Sequence, residues 1–382
     1  MFQENATFSY SFPTNIRFGA GVSKELGPHL KAQNLVRPLV VSDPIVSALP
    51  FFESVLNEMK KAGLEISVFT DVQKNPVKSD VYKGGDAYHS KNCDCIVGLG
   101  GGVALDVARA IALRAHHQRD LFDYDDLLDG WKLVTEKIPY FVAIPTTSGT
   151  GSEVGRSTVI SEDGTHKKRV LFSPRLLANQ VFADPLLTLD LPPLVTAATG
   201  MDALAHNVEA FLAKGFHPMA DGIALEAIRI ITKNLEKAVF EPDLLSRANM
   251  LMASLMGAVA FQKGLGIVHS LAHPLSTLVD AHHGTAIALM FPYGLNYNYK
   301  GAEHSFKSMA DAFGLKEGAE AVIPFIAEWN KKFELPTKLS KIGVEKKQIA
   351  DLAKLSSEDF CLPCNQKEAK EQDLKKIYEE AF

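Results

Sequence analysis

The sequence predicts an α/β N-terminal domain with a mostly parallel sheet, followed by an all-helical C-terminal domain. In the first half of the chain, short β-rich runs alternate with helical stretches, a pattern typical of βαβ units. After Asp184-Pro185 the pattern is almost entirely helical. The chain has 382 residues, a length that suits two domains. We therefore expect domains over residues 1–185 and 186–382.

The elements follow in order along the chain. Buried strands are predicted at residues 38–42, 65–69, 95–98 and 141–144, with helical stretches up to residue 61 and over 104–115. The polar, acidic and aperiodic segment 116–137 is expected on the surface. Two further β-like runs, 157–160 and 169–172, precede Asp184. Long helices are predicted over 195–214, 220–238 and 244–262, with more helices to the C-terminus.

Composition argues against several classes of protein. Lys plus Arg is 40 and Asp plus Glu is 45, so the net charge of −5 lacks the basic excess typical of nucleic-acid binders. The longest apolar run, 251–261, is about half as long as a membrane span. Residues 1–5 lack the basic and apolar regions of a secretory signal, and the four cysteines are expected to be free thiols rather than a disulfide framework or a zinc site. We expect a cytoplasmic protein that binds neither nucleic acid nor membrane.

Two loops are candidates for binding phosphate. Gly100, Gly101 and Gly102 lie between a strand and a helix, where glycines let backbone N–H groups approach a pyrophosphate at the positive end of the helix. The spacing is not the G-x-G-x-x-G fingerprint, so a merely tight turn is the alternative. The polar loop 145–153 also follows a strand and would open at the same edge of the sheet.

Asp43 is a candidate for cofactor selection, because it ends the first buried strand. A carboxylate there can accept a hydrogen bond from a ribose 2′-OH and would repel a 2′-phosphate, which favours NAD over NADP. The alternative is a turn-forming aspartate before Pro44.

The histidines indicate a metal site. Half of the 12 histidines lie between positions 202 and 283. Asp202 and His206 share one helix face, His269 and His273 repeat the spacing, and His283 precedes Gly284, where the helical pattern breaks. Imidazoles with one carboxylate suit Zn, Fe or Ni rather than Ca or Mg. A core or surface role is the alternative for each histidine taken alone.

In chain order, these motifs resemble those of the iron-containing (group III) alcohol dehydrogenases, over nearly the whole chain. The matching segments are 12–21, Asn75-Pro76, 100–106, 145–153, Ala183-Asp184-Pro185, 200–206, 268–275 and His282-His283-Gly284. The resemblance implies a dinucleotide-binding α/β domain against a helical metal-binding domain, with the site in the cleft between them. Dehydroquinate synthase-like enzymes share this architecture.

The resemblance also implies roles for individual residues. The metal ligands would be Asp202, His206, His269 and His283, while His273 would lie near the nicotinamide and substrate without ligating the metal. The dinucleotide-binding positions would be Asp43, Asn75, Gly100, Gly101, Gly102, Asp106, Thr146, Thr147, Thr150 and Lys168. The chain departs from the family pattern at Val103 and Arg109, where Ser and Lys are usual, and at Asn365-Gln366-Lys367, where relatives commonly have Asn-Pro-Arg.

The implied activity is the NAD(H)-linked interconversion of a small primary alcohol and its aldehyde, in a homodimer. The metal would be Fe²⁺, with Zn²⁺ or Ni²⁺ as alternatives, and would act as a Lewis acid on the substrate oxygen. His273 would relay the proton, unless it only packs behind His269. Alternatives are a hydroxyacid–oxoacid transhydrogenase, a glycerol dehydrogenase-like zinc enzyme, or a non-catalytic dinucleotide- or metal-binding protein, which the intact ligand positions and phosphate loops argue against.

Overall fold

The computed structural model describes Phe12 and residues 14–382. Residues 1–5, which lack the regions of a secretory signal, lie outside the described part. Pro13, in the first segment that resembles the family, also lies outside it. The chain divides into two compact units. Residues 14–147 and Gly151–Asp190 form what we call the α/β unit. Ser148–Thr150 and Leu191–Phe382, together with Phe12, form the helical unit. A short piece of the predicted polar loop 145–153 thus belongs to the helical unit.

The α/β unit contains a six-stranded sheet in which every pair of neighbours is parallel. Its strands are β1 (Asn15–Phe18), β2 (Pro38–Val41), β3 (Ser67–Phe69), β4 (Cys95–Gly100), β5 (Tyr140–Pro145) and β8 (Gln180–Ala183), in the spatial order β1-β8-β5-β4-β2-β3. A separate antiparallel hairpin is formed by β6 (Ser157–Ser161) and β7 (Lys168–Phe172). The predicted mostly parallel sheet is confirmed. Strands β1 and β8, each four residues long, were not predicted.

The helices of this unit are α1 (Leu26–Ala32), α2 (Pro44–Ser47), α3 (Pro50–Lys61), α4 (Lys78–Ser90) and α5 (Gly102–His116). Every residue of β4 is buried, as expected for a parallel strand covered on both faces. Helix α5 packs directly on this strand, because a Cβ at Gly100 would lie 2.6 Å from the Cβ of Ala104. The glycine therefore sets how closely the helix approaches the sheet.

The segment 116–137 is less exposed to solvent than its polarity predicts. It forms three short 3₁₀ turns, and Leu121 and Tyr124 are 0% and 2% exposed, so the expectation of a surface segment is wrong for them. Asp125 is also buried and pairs with Arg169 of β7 at 3.0 Å. One acidic residue of the segment 116–137 thus forms an internal ion pair.

The helical unit contains nine α-helices in its described residues. They are α6 (Pro193–Leu212), α7 (Pro218–Phe240), α8 (Leu244–Ala260), α9 (Ile267–Val279), α10 (His283–Tyr299), α11 (Glu303–Phe313), α12 (Val322–Lys332), α13 (Ile349–Ser357) and α14 (Glu371–Ala381). One apolar core joins residues from most of them. By length and composition the stretch Leu244–Lys263 could cross a membrane, but 56% of its most apolar part is buried in the structure, and buried core helices share this composition.

Gly284 lies where α10 meets α6, and a side chain there has no room. A Cβ at Gly284 would lie 2.5 Å from the carbonyl oxygen of Ala198, a backbone atom that cannot rotate away. We expect Gly284→Ala to lower the free energy of unfolding by about 1–3 kcal/mol, the usual cost of overpacking. Thermal unfolding would measure this. Gly222→Ala is the matched control, because a Cβ there meets nothing within 4 Å and the change should be neutral or stabilising.

Candidate active site

Three helices of the helical unit bring the predicted metal ligands together. Asp202 and His206 lie on the buried face of α6, and His269 lies in the first turn of α9. His283 is the first residue of α10 and is half-buried. The helical pattern therefore breaks before His283, between Val279 and the start of α10, rather than at Gly284 as the sequence suggested.

The geometry of these four side chains fits a shared cation. Oδ1 of Asp202 lies 3.8 Å from Nε2 of His206, 3.7 Å from Nε2 of His269 and 3.5 Å from Nε2 of His283. These distances are too long for hydrogen bonds, yet two ligand atoms bound tetrahedrally to one ion at about 2.1 Å are about 3.4 Å apart. Within the described residues, Oδ1 of Asp202 and Nε2 of His269 are buried and accept or donate no hydrogen bond.

The charges of the cluster also suit a cation. Burial opposes ionisation of Asp202, but the imidazoles of His206 and His283 outweigh it and hold the pKa of the carboxyl below its usual range. Burial lowers the pKa of His206 to about 4, so this ring is neutral at pH 7. Burial also opposes protonation of His269, but its carboxylate neighbours raise its pKa to about 9. A divalent ion would take the place of that proton.

Glu209 is a residue of the site that the sequence analysis missed. It lies on α6, is 2% exposed, and its Oε2 accepts a hydrogen bond from Nδ1 of His269 at 2.5 Å. The same carboxylate accepts the backbone N–H groups of Val268 and His269 at 2.7 Å and 3.1 Å. A spacing signal was present, since Glu209 follows His206 by three residues and therefore lies on the same helix face.

His273 lies beside this cluster and has a partner that was also missed. Its Nδ1 is 2.8 Å from Oδ2 of Asp359, and its ring stacks between those of His283 and Phe360. Burial opposes ionisation of Asp359, but His273 outweighs it and lowers the pKa of the carboxyl. Ligand-type atoms of His273, Asp359 and Cys361 lie within 4.8 Å of one another. Because Asp359 already bonds to His273 and to the backbone of Cys361, this second group is internally hydrogen-bonded.

The loop 148–150 approaches the predicted metal ligands within the helical unit. A Cβ at Gly149 would lie 3.4 Å from Oδ2 of Asp202 and 3.0 Å from the Cβ of Thr199. Only a residue without a side chain allows this approach unchanged. Thr150, a predicted dinucleotide contact, belongs to the same unit and is half-buried.

In the α/β unit, most predicted dinucleotide residues lie at the carboxyl ends of neighbouring strands. Asp43 follows β2, Gly100 ends β4 with Gly101 and Gly102 after it, and Thr146 and Thr147 follow β5. The N-terminus of the 15-residue helix α5 is capped by no side chain of the described residues. Oγ1 of Thr146 is buried and has no hydrogen-bond partner among the residues that the structure describes. An uncapped helix end beside an unsatisfied hydroxyl fits a phosphate group.

Asp43 has a structural role that the sequence analysis weighed as the alternative. Its Oδ1 accepts the N–H groups of Ile45 and Val46 at 3.0 Å and 2.9 Å and so caps α2. Its Oδ2 faces Gly100, 3.4 Å from where a Cβ would stand. One oxygen thus serves the turn, and the other lies near the triple glycine.

Three further predicted cofactor contacts do not directly follow a strand of the six-stranded sheet. Asn75 is in the loop between β3 and α4, and Lys168 begins β7. Asp106 lies on α5, where one carboxylate oxygen accepts from Oγ of Ser152 at 2.6 Å and the other from the N–H of Val159 at 2.9 Å. These bonds tie α5 to the end of the polar loop and to β6. A contact between Asp106 and the dinucleotide remains a prediction.

The α/β unit has a parallel sheet and an uncapped helix N-terminus that suits a phosphate group, and the helical unit has a histidine–carboxylate cluster. Together these features define a class of metal-dependent, dinucleotide-linked oxidoreductases. Residues 13–185 match the profile of the family described as iron-containing alcohol dehydrogenase. Residues 196–382 match the C-terminal part of the same family. The chain belongs to the iron-containing alcohol dehydrogenase family.

Individual relatives are similar along their whole length. A 4-hydroxybutyrate dehydrogenase of Cupriavidus necator is 36% identical over 97% of this chain and 98% of its own. An NAD-dependent methanol dehydrogenase of Bacillus methanolicus is 32% identical over 98% of this chain and 100% of its own. Among solved structures, a 1,3-propanediol oxidoreductase is 33% identical and superposes with a TM-score of 0.94 over 99% of this chain and 100% of its own.

These comparisons confirm the family, the two-part fold and the class of activity that the sequence predicted. The protein is an oxidoreductase that acts on alcohols with a divalent metal and NAD.

Proposed function

We propose that the protein interconverts a small primary alcohol and its aldehyde, with Asp202, His206, His269 and His283 as the metal ligands. The observation that carries this proposal is the position of Asp202 Oδ1, 3.5–3.8 Å from three imidazole Nε2 atoms. When bound, a divalent ion there polarises the substrate oxygen as a Lewis acid, while the nicotinamide accepts or returns the hydride.

The chain itself binds and orients the reactants. The backbone N–H groups at Gly101 and Gly102 and the hydroxyls of Thr146 and Thr147 hold the pyrophosphate at the start of α5. Asp43 accepts from the ribose 2′-OH with Oδ2, the oxygen that does not cap α2. These residues would hold the dinucleotide in one orientation, so that hydride transfer would take place between pre-oriented groups.

His273 moves the proton in this proposal. Its Nδ1 is hydrogen-bonded to Asp359 at 2.8 Å, and Nε2, the other ring nitrogen, would accept or return the proton. The stacked rings of His283 and Phe360 keep the imidazole in place. An imidazole suits this task because its ordinary pKa lies near neutrality.

The family name supports Fe²⁺ as the metal. The substrates named for the relatives, methanol and 4-hydroxybutyrate, are small molecules with a primary hydroxyl, which supports a substrate of that kind here. We also propose a homodimer, which the family resemblance supports. A cytoplasmic location is supported by four unpaired thiols, typical of a reducing compartment.

The proposed function is tested by NADH consumption with short aldehydes that differ at their far end in a methyl, hydroxyl or carboxylate group. The protein is stripped of metal and reconstituted anaerobically with Fe²⁺ or Zn²⁺. We expect activity only after metal is added, and the panel then ranks substrates. Activity that survives complete metal removal would contradict the proposed centre. Turnover of an alcohol with an aldehyde while NAD is withheld would favour the transhydrogenase alternative.

Cofactor preference provides a separate prediction. We expect Asp43→Ser to shift the NADH-to-NADPH ratio of kcat/KM toward NADPH by about tenfold or more, because the change removes a charge that repels a 2′-phosphate. Serine still caps a helix, so α2 should be retained. Steady-state kinetics with both dinucleotides measures the ratio. An unchanged ratio would leave Asp43 with its capping role alone.

A further inference from the structure

His269 can bind a cation only through a nitrogen that carries no proton. Its Nδ1 lies 2.5 Å from Oε2 of Glu209, and a carboxylate accepts hydrogen bonds, so the proton of the neutral ring lies on Nδ1. Nε2, the atom 3.7 Å from Oδ1 of Asp202, then has a free lone pair. We infer that Glu209 is a positioning residue of the metal centre, which selects the tautomer of His269 and orients its ring. This inference rests on the proposed metal centre.

The same carboxylate also fixes the backbone beneath the ring. Glu209 accepts the N–H groups of Val268 and His269 at 2.7 Å and 3.1 Å, two of the groups at the start of α9 that have no partner within the helix. Ring and backbone of His269 are therefore held by one rigid group. Because Glu209 lies on α6 with Asp202 and His206, it also sets the separation between ligands on two different helices.

Asn365 is a suitable comparison for Glu209, because it accepts a backbone N–H group at the start of α9 without a hydrogen bond to a predicted metal ligand. Its Oδ1 accepts the N–H of Ile267 at 3.2 Å, at the same end of α9, and it pairs with Asn298 at 2.8 Å. The chain before α9 is shaped around both groups, because a Cβ at Gly266 would lie 2.6 Å from Oδ1 of Asn365 and 3.0 Å from Oε1 of Glu209. In its hydrogen bonds, however, Asn365 contacts none of the four predicted ligands.

The informative variant is Glu209→Gln. Glutamine has nearly the same shape and keeps one oxygen to accept a backbone N–H group, so the start of α9 retains part of its cap. Its amide cannot accept at both positions: with the oxygen toward Nδ1, the NH₂ group opposes the N–H of Val268 and disturbs the start of α9, and with the NH₂ group toward Nδ1, the ring takes the tautomer with the proton on Nε2. That tautomer cannot bind a cation at Nε2.

The experiment measures Zn²⁺ affinity of the metal-stripped full chain by competition with a chromophoric chelator, together with the melting temperature. We expect Glu209→Gln to weaken Zn²⁺ binding by about 10- to 100-fold, the usual effect of removing the partner of a metal-bound histidine. Asn365→Ala should lower the melting temperature while the affinity stays near that of the wild type. Wild-type affinity in Glu209→Gln, or equal losses of affinity in the two variants, would overturn the positioning role.

Two further results keep the inference testable. If Glu209→Gln does not fold, the histidine ¹⁵N NMR spectrum of the wild-type Zn²⁺ form reports which ring nitrogen of His269 carries the proton. We expect the proton on Nδ1. A proton on Nε2 would overturn the inference. Failure of the wild type itself to bind Zn²⁺ or Fe²⁺ would instead overturn the proposed metal centre, and the role of Glu209 with it.

Discussion

Asp202→Ala is expected to abolish metal binding and to lower turnover by about 10³-fold or more, because it removes the only carboxylate of the four predicted ligands. Its Oδ1 lies 3.5–3.8 Å from all three imidazole Nε2 atoms. A metal that polarises the substrate oxygen contributes several kcal/mol to transition-state stabilisation, and about 4 kcal/mol corresponds to 10³-fold. Metal content of the purified variant and kcat/KM with the best aldehyde measure the two effects.

The dinucleotide site should survive this change. Asp202 lies in the helical unit, whereas Gly101, Gly102 and Thr146 lie in the α/β unit, so the affinity for NADH should stay close to that of the wild type. Glu226→Gln is the matched control, because this exposed carboxylate on α7 pairs only with Arg229 in the described contacts. Full activity of Asp202→Ala in the presence of a chelator would show that the metal assignment is wrong.

Arg109→Met is expected to lower the free energy of unfolding of the α/β unit by about 3–5 kcal/mol, as is usual when one partner of a buried ion pair is removed. Arg109 is 0% exposed and pairs with Asp106 at 3.1 Å. It also donates to Oγ of Ser152 at 2.9 Å and to the carbonyl of Ser157 at 2.8 Å. Methionine fills similar space but leaves Asp106 without this charge partner and the carbonyl without a donor.

A second buried carboxylate, Glu153, makes the expected loss of stability larger for Arg109 than for an arginine on the surface. Burial raises the pKa of Glu153 to about 7, and Arg109 is the cation that opposes this rise. Denaturant unfolding followed by tryptophan and helical signals measures the change. Arg229→Met is the matched control, because that arginine is 43% exposed and should contribute less than about 0.5 kcal/mol. Equal stability of the two variants would contradict the role assigned to Arg109.

Several parts of the fold and site were predictable because they depend on local spacing. The i, i+4 spacing put Asp202 and His206 on one helix face, and His269 and His273 on another. The glycines after an apolar run correctly indicated the β4–α5 turn, since only a residue without a Cβ allows α5 to approach β4 there. The resemblance to a family added the order of these motifs, and the family is confirmed.

The sequence by itself determined which residues share a helix face or follow a strand, because those relations depend only on positions a few residues apart. Contacts between distant segments were decided by the tertiary structure alone. Glu209 reaches His269 across 60 positions, Asp359 reaches His273 across 86, and Arg109 reaches Ser152 across 43. No periodicity encodes such pairs, because they form only when packing of the apolar cores fixes the distance between elements. A buried charge then becomes stable only where that packing supplies its partner.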